Sequence, residues 1–354
     1  MIAEEKARVC VPENVKLALE QKRFSPHKLF KRGHAQTIVS HIWPRRFDSR
    51  LLQKDEARLF EIAKGVQLLA HCRWQEQRKT HPTMLLSHGL EGSSASHYMI
   101  GTAGKAFANG FNVVRLNLRN CGNTEHLTPT LYNSGLSGDV NAVVRELIEG
   151  DHLPRIFLTG FSLSGNIMLK FAGEQAGAMP REIRGVCAIS PSLDLAACAD
   201  AIAQRSNRIY QERFMRSLRR RLRTKQKLFP ENYDASELRG VRTIRDFDER
   251  FTARDGGYRN ADDYYARASA LPLVPFINTP TLIIHAQDDP FIPFRSFRDP
   301  SIANNPCVML LAPPHGGHVG FLSNAFAQNG EDRYWAENRA VEFCRLIADA
   351  STSD

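Results

Sequence analysis

Ile156-Phe-Leu-Thr-Gly160-Phe-Ser162-Leu-Ser164-Gly165-Asn-Ile-Met-Leu-Lys170 decides how this chain is read. An apolar, β-rich run from Ile156 to Leu158 leads into a glycine, a serine two residues on, further small residues, and then an apolar pattern of helical period. That order predicts a strand, a sharp turn and a helix, with Ser162 at the apex. A turn this tight admits only small neighbours and lifts the serine hydroxyl above the strand end. The helix starts at the same point, so its unpaired N–H groups and positive dipole end face whatever the serine attacks. One position departs from the usual G-x-S-x-G pattern: Ser164 stands where the second glycine is expected. Ser164 is the alternative nucleophile, but its flanks, Ser162 and Asn166, suit the steric demand less well. A Gly/Ser turn with no chemistry is the plainer reading of this window alone, and partners elsewhere in the chain must decide.

Outward from this stretch, strands and helices alternate. Met84 to Ser87 reads as a buried strand, Tyr98 to Ala108 as a helix and Asn112 to Asn117 as a strand. Gly138 to Glu149 is amphipathic through Val140, Val143, Val144, Leu147 and Ile148, with Ser137 placed to cap it, and Gly185 to Ser190 is another strand. Such alternation implies the α/β class, a mostly parallel sheet flanked by helices on both faces. Ahead of it, Ala57 to Ile62 and Val66 to Trp74, joined across Lys64-Gly65, predict an antiparallel pair. We therefore expect an N-terminal arm over 1–50 packed on a core whose first part spans 51–190. From 191 to 275 the alternation gives way to a helical, aromatic stretch, expected to fold over the sheet's C-terminal edge as a lid. The core resumes over 276–354 with strands at Pro280 to Ala286 and Cys307 to Leu311 and a closing helix from Trp335 to Ala350.

The chain has 354 residues, 42% hydrophobic and 24% charged, the balance of a soluble globular protein. No run approaches the eighteen or so apolar residues of a membrane span, and the mixed-charge start at Met1 lacks the apolar core of a signal peptide. Seven scattered cysteines without a C-x-x-C pair favour free thiols in a reducing compartment, hence a cytoplasmic location, over disulfides or a zinc site. The net charge of +9 is concentrated in Arg216-Ser-Leu218-Arg-Arg-Arg-Leu222-Arg-Thr-Lys-Gln-Lys227. Leu218 and Leu222 make this a helix with one apolar stripe and a basic remainder, read most simply as a solvated face. The sharper readings are attraction of an anionic membrane surface or of acidic substrates, and no nucleic-acid partner is expected.

A serine hydroxyl needs a base to take its proton and an acid to hold that base. In strand-turn-helix sites of this kind the acid and then the histidine follow the serine, at the ends of later strands. The strand ending near Ala286 runs into Gln287-Asp288-Asp289-Pro290-Phe-Ile-Pro293, where Asp289, four residues before the second proline, is preferred over Asp288 as the acid. The last strand runs into Pro313-Pro-His315-Gly-Gly-His318-Val-Gly320-Phe321. His318, between glycines that let the loop bend back, is preferred over His315 as the base. A metal reading of the two histidines finds no supporting ligand cluster, and neither metal nor cofactor is expected. Two backbone N–H groups must hold the oxyanion; Leu163, next to the serine, and Leu90, in His88-Gly-Leu-Glu-Gly-Ser-Ser94, are the candidates. His88 itself is expected to bond the backbone.

With Asn117-Leu-Arg-Asn-Cys-Gly122 these make five motifs in order, and together they resemble the YheT-like branch of the α/β-hydrolase superfamily, from about Gly33-His-Ala-Gln-Thr-Ile38 onward. The resemblance covers most of the chain and implies an α/β-hydrolase fold and a serine esterase acting on a small-molecule ester or lipid, with Ser162, Asp289 and His318 as triad. The aromatic insertion suggests an acyl chain of medium length. Two other readings stay open: an acyltransferase passing the acyl group to an alcohol, and a binding protein on a hydrolase scaffold.

Overall fold

The computed structural model describes residues 11–45, 55–324 and 331–350. Expectations about the first ten residues, Cys10 included, therefore lie outside the described residues. Eight strands form one sheet in the order β1-β2-β4-β3-β5-β6-β7-β8. They are β1 Glu56–Ala63, β2 Val66–Arg73, β3 Thr83–Ser87, β4 Asn112–Leu116, β5 Ile156–Phe161, β6 Ile183–Ile189, β7 Thr281–Ile284 and β8 Val308–Leu311. As the sequence predicts, β1 and β2 pair antiparallel; β2 also pairs antiparallel with β4, and all later pairings are parallel.

The central strands are buried on both faces, which is why they read as continuous apolar runs. Their side chains alternate between two cores. Leu85, Leu158, Val186 and Ala188 face one, shared with α4 (Ser137–Glu149) and α5 (Leu163–Gln175). Met84, Leu86, Phe157, Cys187 and Ile189 face the other, shared with α1 (Glu13–Gln21), α3 (His97–Ala108) and α9 (Trp335–Ala350). Between β6 and β7 the chain leaves the sheet for a helical insertion that includes α6 (Leu195–Ile202), α7 (Arg208–Leu228) and α8 (Ala261–Ala268). A further helix, α2 (Gly33–Ile42), precedes β1.

Two sequence expectations need correction. Ser137 is the first residue of α4 and not its cap; its hydroxyl turns to Glu174 Oε2 on the adjacent α5, and Leu136 holds the capping position with no side-chain bond. The basic block is not simply a solvated face either. Arg221 and Lys225 lie on the same helical stripe as Leu218 and Leu222 and are buried with them. The Lys225 ammonium bonds the carbonyls of Glu125 and Thr128 and sits 3.9 Å from the Phe229 ring; burial pulls it down to about 8.

The register sets the functional edge. Ser87 pairs with Gly160, Gly160 with Ala188, Ile189 with Ile284, and Ile284 with Leu311, so β3, β5, β6, β7 and β8 end level with one another. Everything that leaves those ends meets over one edge of the sheet. Leu158, fully buried in the middle of β5, tests how far this edge depends on the core beneath it. Leu158→Ala should cost about 2–5 kcal/mol in urea unfolding, against about 0.5 kcal/mol or less for the half-exposed Leu59→Ala.

Candidate active site

Ser162 sits between β5 and α5 with φ 53° and ψ −115°, a backbone conformation that costs a non-glycine residue on the order of 1–3 kcal/mol. It is held there by the Ser162 N–H on the Ile189 carbonyl (2.8 Å) and by the Ser162 carbonyl, which accepts from Asn166 N–H at 3.2 Å. Gly160 must be glycine, because a Cβ there would lie 2.2 Å from the Ser164 carbonyl oxygen. Ser164, in place of the usual glycine, is fully buried and well partnered: its hydroxyl donates to the His88 carbonyl and lies 2.8 Å from Ser87 Oγ. It points at the end of β3, while the hydrogen bond of His318 goes to Ser162.

The structure brings Ser162, His318 and Asp289 into one chain of hydrogen bonds. His318 Nε2 lies 2.9 Å from Ser162 Oγ and Nδ1 lies 2.8 Å from Asp289 Oδ2. A carboxylate can only accept, so Nδ1 carries the proton and Nε2 is left to accept from the serine. The second Asp289 oxygen accepts the N–H groups of Phe291 (2.8 Å) and Ile292 (3.1 Å). Burial pushes the Asp289 carboxyl up, but the His318 charge and hydrogen bond, with smaller help from His285 and the Phe291 N–H, outweigh it and hold it below the usual range. The other members of each pair are matched separately: His315 Nδ1 faces Asp288 Oδ2 at 3.1 Å, and Asp288 Oδ1 accepts the Gly317 N–H at 2.9 Å.

Of the two N–H groups expected to hold an oxyanion, that of Leu163 opens α5 beside the serine and that of Leu90 lies in the loop after β3, where a Cβ on Gly89 would come within 3.0 Å of Ser162 Cβ. The N–H groups flanking Leu90 are engaged: Gly89 donates to the Tyr98 hydroxyl and Glu91 to the Tyr132 hydroxyl, each at 3.0 Å. Among the described residues, the Leu90 N–H meets no such acceptor. His88 bonds the backbone as expected, with Nδ1 on the Gly89 carbonyl (2.8 Å) and Nε2 accepting from Leu118 N–H (3.1 Å). Burial pulls its imidazole down to about 4, so it is neutral near pH 7.

Several supporting residues went unread in the sequence. Thr37 of α2 accepts the His318 N–H on its hydroxyl (2.8 Å), and a Cβ on Gly33 would lie 1.9 Å from the Asp288 carbonyl oxygen. The Gly33-His-Ala-Gln-Thr37 motif was visible, but nothing in it points to a loop some 281 residues away. Ser190, at the end of β6, accepts the Val319 N–H on its hydroxyl at 3.1 Å. Behind Asp289 lies His285, fully buried against Phe297, its imidazole likewise pulled down by burial to about 4. Finally, Arg221 of α7 grips Glu91 through Nε at 2.8 Å and a terminal nitrogen at 3.2 Å, and also bonds the Asn120 carbonyl. Ser217 and Tyr132 (2.8 Å) donate to the same carboxylate. Glu91 itself stands at φ 56°, so the loop after β3 is fixed by a side chain of the insertion.

A cavity of about 110 Å³ opens from Ser162, Leu163, Leu90 and His318 into the insertion. Leu195, Ala199, Ile202, Phe214, Leu218 and Ile244 make its walls apolar. Asp248 and Tyr265 also line it, joined by a hydrogen bond of 2.8 Å; burial lifts the Asp248 carboxyl to about 6.

Residues 82–325 match the family model described as the alpha/beta hydrolase fold. Over 93% of its length the chain is 30% identical to the Escherichia coli (strain K12) protein named "Putative esterase YheT", and covers 95% of that protein. The chain belongs to the α/β-hydrolase family, in its YheT-like branch. It is also 31% identical to the monoacylglycerol lipase of Saccharomyces cerevisiae, over 77% of this chain but only 60% of the lipase. Among solved structures, a serine hydrolase of Cycloclasticus zankles superposes with a TM-score of 0.53 at 14% identity, over 85% of this chain and 100% of the other, a likeness of fold.

Two outcomes follow for this α/β-hydrolase. Arg221→Met strands the Glu91 carboxylate and should lower kcat about tenfold or more while thermal melting drops, with Arg221→Lys between the two. Stability should also fall as pH drops from about 6.5 towards 4. His88 and His285 have folded pKa values below the unfolded one, so the unfolded chain takes up protons that the folded chain refuses; each costs up to roughly 3 kcal/mol at the acid end. Asp248, whose carboxyl is raised to about 6 and takes up its proton first in the folded chain, offsets this in part, and the net fall is readable from urea midpoints against pH.

Proposed function

We propose that Ser162, His318 and Asp289 act as a catalytic triad that cleaves carboxylic esters through an acyl-enzyme. Esterases and lipases are the relatives of this chain, and it is an ester hydrolase. The observation that carries the triad is the unbroken path from the Ser162 hydroxyl through both nitrogens of His318 to a buried carboxylate. As the hydroxyl attacks the ester carbonyl, His318 Nε2 takes its proton and Asp289 stabilises the imidazolium. The N–H groups of Leu163 and Leu90 receive the oxyanion; the alkoxide leaves with the proton from His318, and water, deprotonated by the same nitrogen, releases the acid.

The insertion serves as a lid in this reading, and its apolar walls favour an acyl chain of medium length over acetate. Each methylene buried there contributes about 0.8 kcal/mol until the cavity is full. Lipid esters are the substrate class that this lining and the lipase relative support together. Cys72, Cys121, Cys187, Cys198 and Cys344 are buried free thiols, which supports a reducing, cytoplasmic setting.

A fluorophosphonate probe should label the protein and fail to label Ser162→Ala. Ser162→Ala and His318→Ala should each lose about 10⁴-fold or more in kcat on p-nitrophenyl esters, with kcat/KM rising from acetate to a medium-chain ester. Labelling that survives Ser162→Ala, or acetate as the preferred acyl group, would count against the reading, and added ethanol or glycerol would show as an ester product if an alcohol replaces water.

A further inference from the structure

Four of the eight large hydrophobic side chains exposed among the described residues sit beside the catalytic loop: Leu29 (80%), Ile38 (43%), Ile42 (67%) and Ile209 (76%). They come from two segments that the fold places together. His34 of α2 stacks on Tyr210 of α7 and lies 3.1 Å from its hydroxyl, and His41 Nε2 lies 2.7 Å from Arg213. His27 and Phe30 pack on Trp43 at the end of α2, which keeps Leu29 next to the same helix. Isolated exposed leucines need no explanation, but a cluster of this kind does.

Its setting is basic. Exposed Lys28, Lys31 and Arg32 lead into α2, exposed Arg205 stands just ahead of α7, and exposed Arg208, Arg213, Arg216 and Arg220 run along its first part. Across residues 27–42 and 205–220 the only acidic residue is Glu212, already held by Arg208 at 2.7 Å. Isoleucines amid arginines with almost no carboxylates match the chemistry of an anionic bilayer, where apolar side chains enter the acyl boundary and cations meet the headgroups. An interface for an acidic protein would use the charges but leave no role for Ile42 and Ile209 standing free in solvent.

The same face borders the catalytic edge. Its other side holds the final loop through Thr37 and Gly33, and Tyr210 packs on Phe291 (4.5 Å between ring centres), which packs on His318 (4.6 Å). One layer of aromatic rings separates the exposed surface from the imidazole.

We propose that the segment before α2, α2 itself and the N-terminal half of α7 form a docking face for anionic phospholipid bilayers, placing the cavity mouth against the membrane. This rests on the ester-hydrolase reading for its purpose but not for its test. The docking face draws on surface side chains alone, so binding and catalysis can be separated.

The experiment is co-sedimentation of the full chain with phosphatidylcholine vesicles and with vesicles containing phosphatidylglycerol, at low and raised salt, beside hydrolysis of soluble p-nitrophenyl butyrate. We expect pelleting with the anionic vesicles, weakening as salt rises. Arg216→Glu/Arg220→Glu should lose about fivefold or more in partition per position, and Ile42→Asp/Ile209→Asp about tenfold or more. Melting temperature and soluble-ester turnover should stay within about twofold of the parent for both variants. Equal partition to neutral and anionic vesicles, unchanged partition in either variant, or tighter salt-sensitive retention on RNA than on vesicles would overturn the proposal. Loss of soluble-ester activity in the parent would instead count against the hydrolase reading and leave the docking result standing.

Discussion

A charged carboxylate buried out of reach of water governs how the functional edge is assembled. Desolvating Asp289 costs several kcal/mol unless every lone pair finds a donor, and the three donors come from a single histidine and two successive backbone N–H groups. The Asp-Pro turn after β7 exists to present those N–H groups, and the loop after β8 exists to present the imidazole. Removing the ring would leave the charge stranded, so the carboxylate selects the position of His318 as firmly as the histidine selects it. The tautomer follows without further assumption, and with it the lone pair that faces Ser162.

The loop carrying His318 is not shaped by the sheet alone. Val319 and Phe321 both stand at positive φ, 52° and 44°, which a β-branched or bulky residue adopts only when its surroundings insist. Those surroundings are the Ser190 hydroxyl, the Gly316 carbonyl and the α2 helix pressed over the loop through Thr37. Strain at Ser162 is offset in a similar way, by the backbone of β6 on one side and the first turn of α5 on the other. The hydroxyl of Ser164 joins in, adding a side-chain tie from the elbow to the end of β3 that a glycine could not make.

Much of this was legible because the central strands are short and apolar on both faces, so each announces itself and its exit. Ser162, Asp289 and His318 each stand at such an exit, and parallel pairing brings the exits level. Residues whose partners lie across the fold carried no such signal. Thr37 is an ordinary threonine in a helix, and Glu91 looks like any loop glutamate until Arg221 arrives from 130 positions away. The basic block misled for a related reason: composition counts charges but not depth, and the stripe that buries Leu218 and Leu222 takes Arg221 and Lys225 with it. Ser137 was misplaced by one residue, the ordinary uncertainty of a helix boundary, because Glu174 on a neighbouring helix claimed its hydroxyl.

The clasp between Arg221 and Glu91 also bears on how such a protein can be re-engineered. Substrate range in a scaffold of this type is altered most directly by grafting a different segment between β6 and β7, since that segment walls the cavity. Here the graft would carry away the guanidinium that holds Glu91, leaving a host with a new cavity and a loosened loop after β3. Glu91, Tyr132, Ser217 and Arg221 therefore form one unit of exchange, and swapping the segment without its counterpart on the body would strand the Glu91 carboxylate.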